Sequence, residues 1–447
     1  MKRVSSVALA TLLQLPLGAA ADEAVELRAE IAQLKADYTA RIEQLESRLT
    51  AMESASGTAV STPAAQSANA FNPAISLILE GTYRALDADP GNYRIDGFVP
   101  PEEAVGPEAR SAALGESELV MSANIDPYFS GYFVAAFDAD GGAEVEEANI
   151  THVGLVPGAT TKFGRFLSGF GYQNEIHAHA WDFVDAPLVH QAFFGGALGE
   201  DGLQIRWLAP TSLFLELGLE TGVGDRFPGS PRSRNRPNSF AAFAHVGGDI
   251  GVSSSYRFGT SYRATNAIDR AYVDQDGTGE ETVNAFTGDV RMWGVDAVWK
   301  WAPNGNSGVT NLKLQAEYIR VESDGSLVFD VDGRAIDGDF EADQSGWYAQ
   351  AVYQFMPRWR VGLRYDRLDA GSVQIGQIAN GQLAANDFPV LLDNDPSRAT
   401  LMFDFSATEF SRLRLQLAED RARRDTDDTQ FLLQYIMSLG SHGAHKF

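Results

Sequence analysis

The sequence predicts an all-β protein: a transmembrane antiparallel barrel of about sixteen strands, preceded by a helical N-terminal segment. From Asn72 onward apolar residues recur with period two, in runs of about the 9–11 residues that a tilted spanning strand needs. The connections between these runs alternate between short and long, as they do when tight turns lie on one side of a membrane and loops on the other. No later segment approaches the ~18 uninterrupted apolar residues of a helical span.

The elements follow in chain order. Lys2 and Arg3 precede an apolar stretch from Val4 to Leu17, and Ala19-Ala20-Ala21 offers small residues for cleavage, so residues 1–21 read as a signal peptide. Across 22–53, Leu27, Ile31, Leu34, Tyr38, Ile42, Leu45, Leu49 and Met52 recur at alternating spacings of three and four, a coiled-coil seam with one stutter. That seam suits trimerisation or tethering to the cell wall; the other reading is a single amphipathic helix lying on the barrel. Residues 54–71 are mostly Ala, Ser, Thr, Gly and Pro and form a flexible linker.

The barrel occupies 72–447. Strands are expected at 74–84, 115–126, 128–138, 143–155, 159–167, 200–209, 212–221, 238–248, 249–263, 288–302, 310–322, 344–356, 358–369, 398–406, 410–420 and 428–440. Short turns such as Asp126-Pro127, Pro157-Gly158 and Asn304-Gly305 would face the periplasm. Segments 85–114, 168–199, 222–237, 264–287, 323–343 and 370–397 would be external loops. The last strand places Phe431, Leu433, Tyr435, Met437 and Leu439 on one face, and the chain ends in Phe447. An aromatic terminus after such a strand resembles the assembly signal of bacterial outer-membrane barrels.

Composition narrows the class. The net charge of −25 argues against nucleic acid as a partner, and the absence of cysteine means an exported chain held without disulfides. Glycine (43 residues) and aromatics (11%) suit twisted strands and interfacial belts. The acidic external segments would serve solubility in transit, or divalent-cation bridging to lipopolysaccharide.

Within each strand the apolar set should meet lipid and the polar set the lumen. Leu413, Leu415 and Leu417 oppose Arg412, Arg414, Gln416 and Asp420; Leu213, Leu215, Leu217 and Leu219 oppose Glu216 and Glu220. The expected pore-lining charges are segregated. Arg257, Arg263, Arg360, Arg364, Arg398, Arg412 and Arg414 form one group, and Glu80, Glu116, Glu118, Glu216 and Glu220 the other. Such ladders select ions in an open pore, with a lean here toward anions, or they pair across a narrow lumen and stabilise it.

The segment from Gly164 to Gly196 is long yet rich in aromatic and apolar residues, so it should fold inward rather than extend into solvent. A short helix or hairpin there would bring Glu175, His177, His179, Asp182, Asp185 and His190 to a constriction, with Trp181 packing the loop on the wall. His177 and His179 offer imidazole ligands for zinc or copper; histidines that merely hold the loop in place are the plainer reading. His442 and His445 lie in the C-terminal tail, away from that loop.

Gly164-Arg165-Phe166, Gly169-Phe170-Gly171 with Glu175, and Gly202-Leu203-Gln204-Ile205 resemble the phosphate-selective porin O and P group of outer-membrane porins. That resemblance implies a trimeric sixteen-stranded diffusion channel; the chain lacks a lysine-rich entrance, and phosphate selectivity does not carry over. The stretch Phe71-Asn72-Pro73-Ala74-Ile75-Ser76 and residues 177–185 resemble proteins labelled zinc-regulated TonB-dependent outer-membrane receptors. No plug domain precedes the barrel, and sixteen strands fall short of the ~22 of such transporters. The expectation is an outer-membrane channel of a Gram-negative bacterium for small hydrophilic solutes or ions. The competing reading is uptake of zinc or another metal. Lipid and lipopolysaccharide are its expected neighbours. No G-x-S-x-G and no evident Ser/His/acid arrangement points to an enzyme.

Overall fold

The computed structural model describes residues 73–440, except 102–104, 139–140 and 232–234. The expected signal peptide, coiled coil and linker, with His442, His445 and Phe447, lie outside the described residues.

The strands are β1 (Ala74–Leu86), β2 (Ser111–Leu114), β3 (Ser117–Asn124), β4 (Phe129–Phe137), β5 (Ala143–Val153), β6 (Ala159–Leu167), β7 (Gly199–Leu208), β8 (Phe214–Gly222), β9 (Ser239–Ile250), β10 (Ser254–Gln275), β11 (Glu281–Trp301), β12 (Asn311–Phe329), β13 (Ile336–Met356), β14 (Trp359–Ile375), β15 (Ser397–Thr408), β16 (Ser411–Arg421) and β17 (Asp428–Gly440). Each pairs antiparallel with its sequence neighbour, and β17 returns to β1 in a register running from Ser76↔Gly440 to Leu86↔Gln430. The other edge of β1 pairs with both β2 (Tyr83↔Ala112) and β3 (Ile78↔Glu118). The Gly115 N–H still bonds to the Glu80 carbonyl, so β2 and β3 are one stave interrupted at Gly115-Glu116. The result is a closed barrel of sixteen staves with no free edge.

The staves differ in height. Strands β3 to β8 have 8 to 11 residues, just enough to span, whereas β10 to β13 have 19 to 22. About ten extra residues at ~3.4 Å each, tilted ~40°, raise this tall wall roughly 25 Å above the short one.

Along the tall wall the side-chain pattern reverses sign. On β12, Lys313, Gln315 and Glu317 point inward while Leu314, Ala316 and Tyr318 point out; beyond them Ile319, Val321, Leu327 and Phe329 point inward while Arg320, Glu322 and Asp324 point out. On β14 the inward series runs Arg360, Arg364, Asp366, then Leu368 and Ala370, as the outward one runs Leu363, Tyr365, then Arg367 and Asp369. Outward Trp293, Tyr318, Trp347 and Tyr365 mark the changeover. At the other end Tyr256, Trp299, Tyr353, Trp359, Phe403 and Phe405 form a second belt, with the rings of Trp359 and Phe405 4.5 Å apart and tilted by 37°. The eight residue steps from Trp293 to Trp301 span about 27 Å along a strand and roughly 20–25 Å along the normal, the height of the apolar band of such barrels.

The sequence reading is therefore corrected at two of its loops. Segments 264–287 and 323–343 are not loops but continue the β10/β11 and β12/β13 hairpins, with turns only at 276–280 and 330–335. The outward Asp324, Asp339 and Glu341 look like loop composition because no lipid faces them. The first external segment likewise contains β2, and 370–397 begins with the end of β14.

Inside the tall wall lies a second correction. Phe286, Val290, Met292, Ile319, Leu327, Phe329, Phe340 and Leu368 form an apolar core with Ile95 and Phe98 of the first external loop and Phe388, Val390 and Leu391 of the 376–396 loop. The outer half of the barrel is a packed interior. The expectation of a lumen wet throughout its height does not hold there.

Candidate functional site: the strap across the lumen

Between β6 and β7 the chain leaves the short wall at Leu167, crosses the lumen and returns at Gly199. It contains the helix α1 (Leu188–Phe194) and two short 3-10 turns, at Gln173–Glu175 and Ala178–Ala180. Phe170, Leu188, Val189, Phe193 and Phe194 of this strap enter the apolar core, which is why an aromatic-rich loop folds inward.

A buried loop must satisfy its own backbone, and inward carboxylates do so. Glu220 accepts from the Ser168 hydroxyl (2.6 Å) and the Gly169 N–H (2.8 Å). Glu317 accepts from the Tyr172 and Gln173 N–H groups at 3.0 and 2.7 Å, and Asp366 from the Leu188 N–H at 3.0 Å. Gly164 and Gly171 explain part of the motif. Both have positive φ, and a Cβ on Gly164 would lie 2.2 Å from the Ala148 carbonyl.

The side chains of the strap divide by charge. Asp182 pairs with Lys313 and with Arg360 (3.1 Å), and Asp185 with Arg364 and Arg398, both at 2.8 Å. Glu175 pairs with Arg206. The imidazoles meet carboxylates instead, on both walls: His190 Nε2 lies 3.0 Å from Glu317 of β12, while on the short wall His179 Nδ1 lies 2.7 Å from Glu118 and His177 sits between Glu146 (3.1 Å) and Glu147 (2.9 Å). Burial alone would push the Asp185 carboxyl up, but the guanidiniums of Arg398 and Arg364 hold it down at about 2. Burial likewise opposes a charged His177, yet Glu146 and Glu147 outweigh it and lift the imidazole to about 10. Trp181 closes the strap on itself, its indole N–H donating to the Ile176 carbonyl at 2.6 Å, while its own carbonyl accepts from Arg412 (3.1 Å) and Arg414 (2.8 Å).

All six expected constriction residues therefore lie inside the barrel. The expected lining charges do point inward, but most of them hold the strap or one another rather than facing open water. Arg414 and Asp404 pair at 2.8 Å and Arg263 and Glu200 at 2.8 Å, with every one of these side chains at most 1% exposed. Arg398 lies within reach of Asp185, Asp366 and Asp420. Carboxylates on their own strands and on the strap thus pair with Arg360, Arg364, Arg398 and Arg414, whereas Arg257 and Arg412 donate to the strap carbonyls of Gly171 and Trp181. Glu116, Glu118 and Glu80 remain on the short-wall side.

Two cavities bordered by charged side chains lie toward the periplasmic end. One of about 390 Å³ is lined by Tyr172, Glu175, Arg206, Glu216, Ser255 and Arg257; the other, about 120 Å³, by His179, Thr408, Glu409, Arg412 and Ser438. Sequence reasoning missed Glu146, Glu147, Arg206, Lys313, Glu317 and Asp366 as partners of the strap. Except for Glu146, which a bulge turns inward, their inward parity was available as a signal, but the fold of the strap that selects them was not.

No family model matches the chain. Over 410 residues it is 32% identical to an uncharacterised protein of Aquifex aeolicus, a match covering 85% of this chain and 81% of the other. Among solved structures, the loop-L8 deletion mutant of OmpT, an outer membrane protein of Vibrio cholerae, is similar with a TM-score of 0.52 and 12% identity, over 83% of this chain and 100% of that one. In-vitro folded OmpT of the same organism, in a trimer form, gives 0.50 and 11% identity over 83% and 99%. These likenesses are of fold. Together with the closed barrel and its two aromatic belts, they place the chain in the outer membrane of a Gram-negative bacterium.

Proposed function

The chain belongs to the same family as the uncharacterised Aquifex aeolicus protein, and from its barrel we propose an outer-membrane channel for diffusion of small hydrophilic solutes or ions, narrowed by the strap. The observation that carries this is the polar lower lumen, where cavities bordered by Arg206, Glu216, Arg257 and Arg412 flank the strap at the periplasmic end. Passage runs through the strap's level and past α1, so the conformation described here is a narrow or closed state. The protein works as a homotrimer on this reading, in keeping with the trimer form of the Vibrio cholerae barrel.

The test is conductance of the purified chain in planar bilayers. Wild type should show small ohmic steps with little ion preference. The double variant Asp182→Asn/Asp185→Asn, which unties the strap from the arginine wall, should show larger ones. Silence from both, with the barrel shown to be folded, would overturn the channel. A detergent-corrected mass of one chain would overturn the trimer alone.

A further inference from the structure

We infer that Glu118, Glu146 and His177 form a binding site for a divalent transition metal such as zinc, on the short-wall side of the lumen. The inference does not depend on whether the barrel conducts.

One carboxylate oxygen from each glutamate and a ring nitrogen of His177 all lie within 4.8 Å of one another. His177 Nδ1 is 3.1 Å from Glu146 Oε2 and 3.8 Å from Glu118 Oε2. Ligands around a tetrahedral ion at 2.0–2.2 Å stand roughly 3.3–3.6 Å apart, so only small side-chain movements would close the set. The local backbone makes this meeting possible. The β4/β5 register shifts between Val134 and Ala135, leaving Glu146 as an extra residue opposite that step. A bulge of this kind lets neighbouring side chains share a face, and Glu146 and Glu147 both reach His177.

An independent observation points to a missing ligand. Glu118 is fully buried, and its Oε2 has no hydrogen-bond partner although it faces the cluster; 3.8 Å to His177 is too long for one. An orphaned buried carboxylate oxygen is costly unless something cationic satisfies it. No lysine or arginine forms an ion pair with Glu116, Glu118 or Glu146 among the described residues. Glu116, two residues before Glu118 on the same face, has a second buried oxygen without a hydrogen-bond partner.

The supporting contacts are those that metal-binding groups use. His177 Nε2 lies 2.9 Å from Glu147 Oε1; with Nε2–H donating there, a metal that displaces the second ring proton would find Nδ1 as an electron-pair donor. His179 Nδ1, 2.7 Å from Glu118 Oε1, orients that carboxylate. His179 is thus a positioning residue rather than half of an H-x-H chelate. The nitrogen in the set favours zinc or its neighbours over magnesium or calcium. Glu146 keeps 22% exposure, which leaves an approach to the site. The competing occupant is a proton on His177, bridging the same carboxylates.

The full chain, folded in detergent and stripped with a chelator, should be titrated with ZnCl2 by calorimetry and with Co2+ by visible absorption. Wild type should take up one Zn2+ per chain at this site, prefer it to Mg2+, and give Co2+ bands of a mixed nitrogen and oxygen set. Glu118→Gln and His177→Gln should abolish that uptake. Glu147→Gln should weaken it about 10- to 100-fold while leaving the cobalt bands in place. The tail variant His442→Ala/His445→Ala should bind as wild type does. If either ligand variant fails to fold, Glu147→Gln and the cobalt spectrum still decide. The site is refuted if stripped wild type takes up no Zn2+, which leaves the proton as occupant. It is equally refuted if uptake is unchanged in Glu118→Gln and His177→Gln, or vanishes only with the tail histidines.

Discussion

Two levels of the same strands obey opposite rules. Between the aromatic belts β12 shows Leu314, Ala316 and Tyr318 to lipid and keeps Lys313, Gln315 and Glu317 within; a few residues further it shows Arg320, Glu322 and Asp324 outside and buries Ile319, Val321 and Phe329. The backbone and the period of two do not change. What changes is the medium outside the wall, hydrocarbon below and water above, and the contents of the barrel change with it. At the lower level charged side chains hold a polar strap, while at the upper one three external loops complete an apolar core. The outer half of this membrane protein thus follows the soluble rule, with polar residues out and apolar residues in.

If the upper level is a true core, cavity-forming substitutions there should dominate the mutational landscape. Phe329 is fully buried, in edge contact with Phe388 at 5.2 Å. Phe329→Ala should cost about 3–5 kcal/mol, the range for large aromatic truncations. Urea unfolding of the reconstituted barrel would measure it. A cost below ~1 kcal/mol would mean that the external loops do not pack as a core. Next in size is a charge set into the lipid band. Leu363 is 60% exposed on the outer face of β14, between the belts, and Leu363→Arg should cost about 2–4 kcal/mol if that position lies near the midplane. The same unfolding measurement applies, and a neutral result would shift the bilayer away from the band between the belts.

How much of this was legible beforehand follows from the same contrast. The lower level could be read because its rule is uniform: Leu413, Leu415 and Leu417 against Arg412, Arg414 and Gln416 fix stave, face and register together. The upper level could not, because a reader expecting lipid on one side sees Asp324, Asp339 and Glu341 as loop. The alternation continued through them, with its sign reversed. The strap was legible as an inward fold from its aromatics, and Glu175, His177, His179, Asp182, Asp185 and His190 all lie within the barrel. Their partners were not, since nothing local in Glu317 or Asp366 says which backbone N–H it will accept. Glu146 shows the difficulty sharply, because only the bulge brings it beside Glu147 at His177.

The strap itself tests the lower level through pH. Asp182 and Asp185 are held below the ordinary carboxyl range, against burial, by Lys313 and Arg360 in one case and by Arg398 and Arg364 in the other. A depressed carboxyl contributes stability above its unfolded pKa of ~3.9, and that contribution is lost as pH falls through the folded value. Strap amides should therefore stay protected from hydrogen exchange at pH 5 and lose protection toward pH 2, while the apolar core above exchanges no faster. Asp185→Asn should remove about 1–3 kcal/mol of docking already at pH 7, the range for hydrogen bonds to charged groups. Equal protection of the strap at both pH values would mean that its apolar residues, not its carboxylates, dock it.

The smallest expected effect is the sharpest complement to Leu363→Arg. Asp324 lies on the outer face of β12, above the belt marked by Tyr318, and is exposed. Asp324→Lys reverses a charge on a β-strand of a membrane protein, so a single rule for the whole stave predicts a large change. If water faces this position, the effect stays within about 0.5 kcal/mol, as for other surface substitutions. Together the two variants measure the height of the bilayer on the tall wall. A cost for Asp324→Lys comparable with that of Leu363→Arg would place lipid against the upper level, and the reversal of pattern along β12 would then need a cause other than solvent.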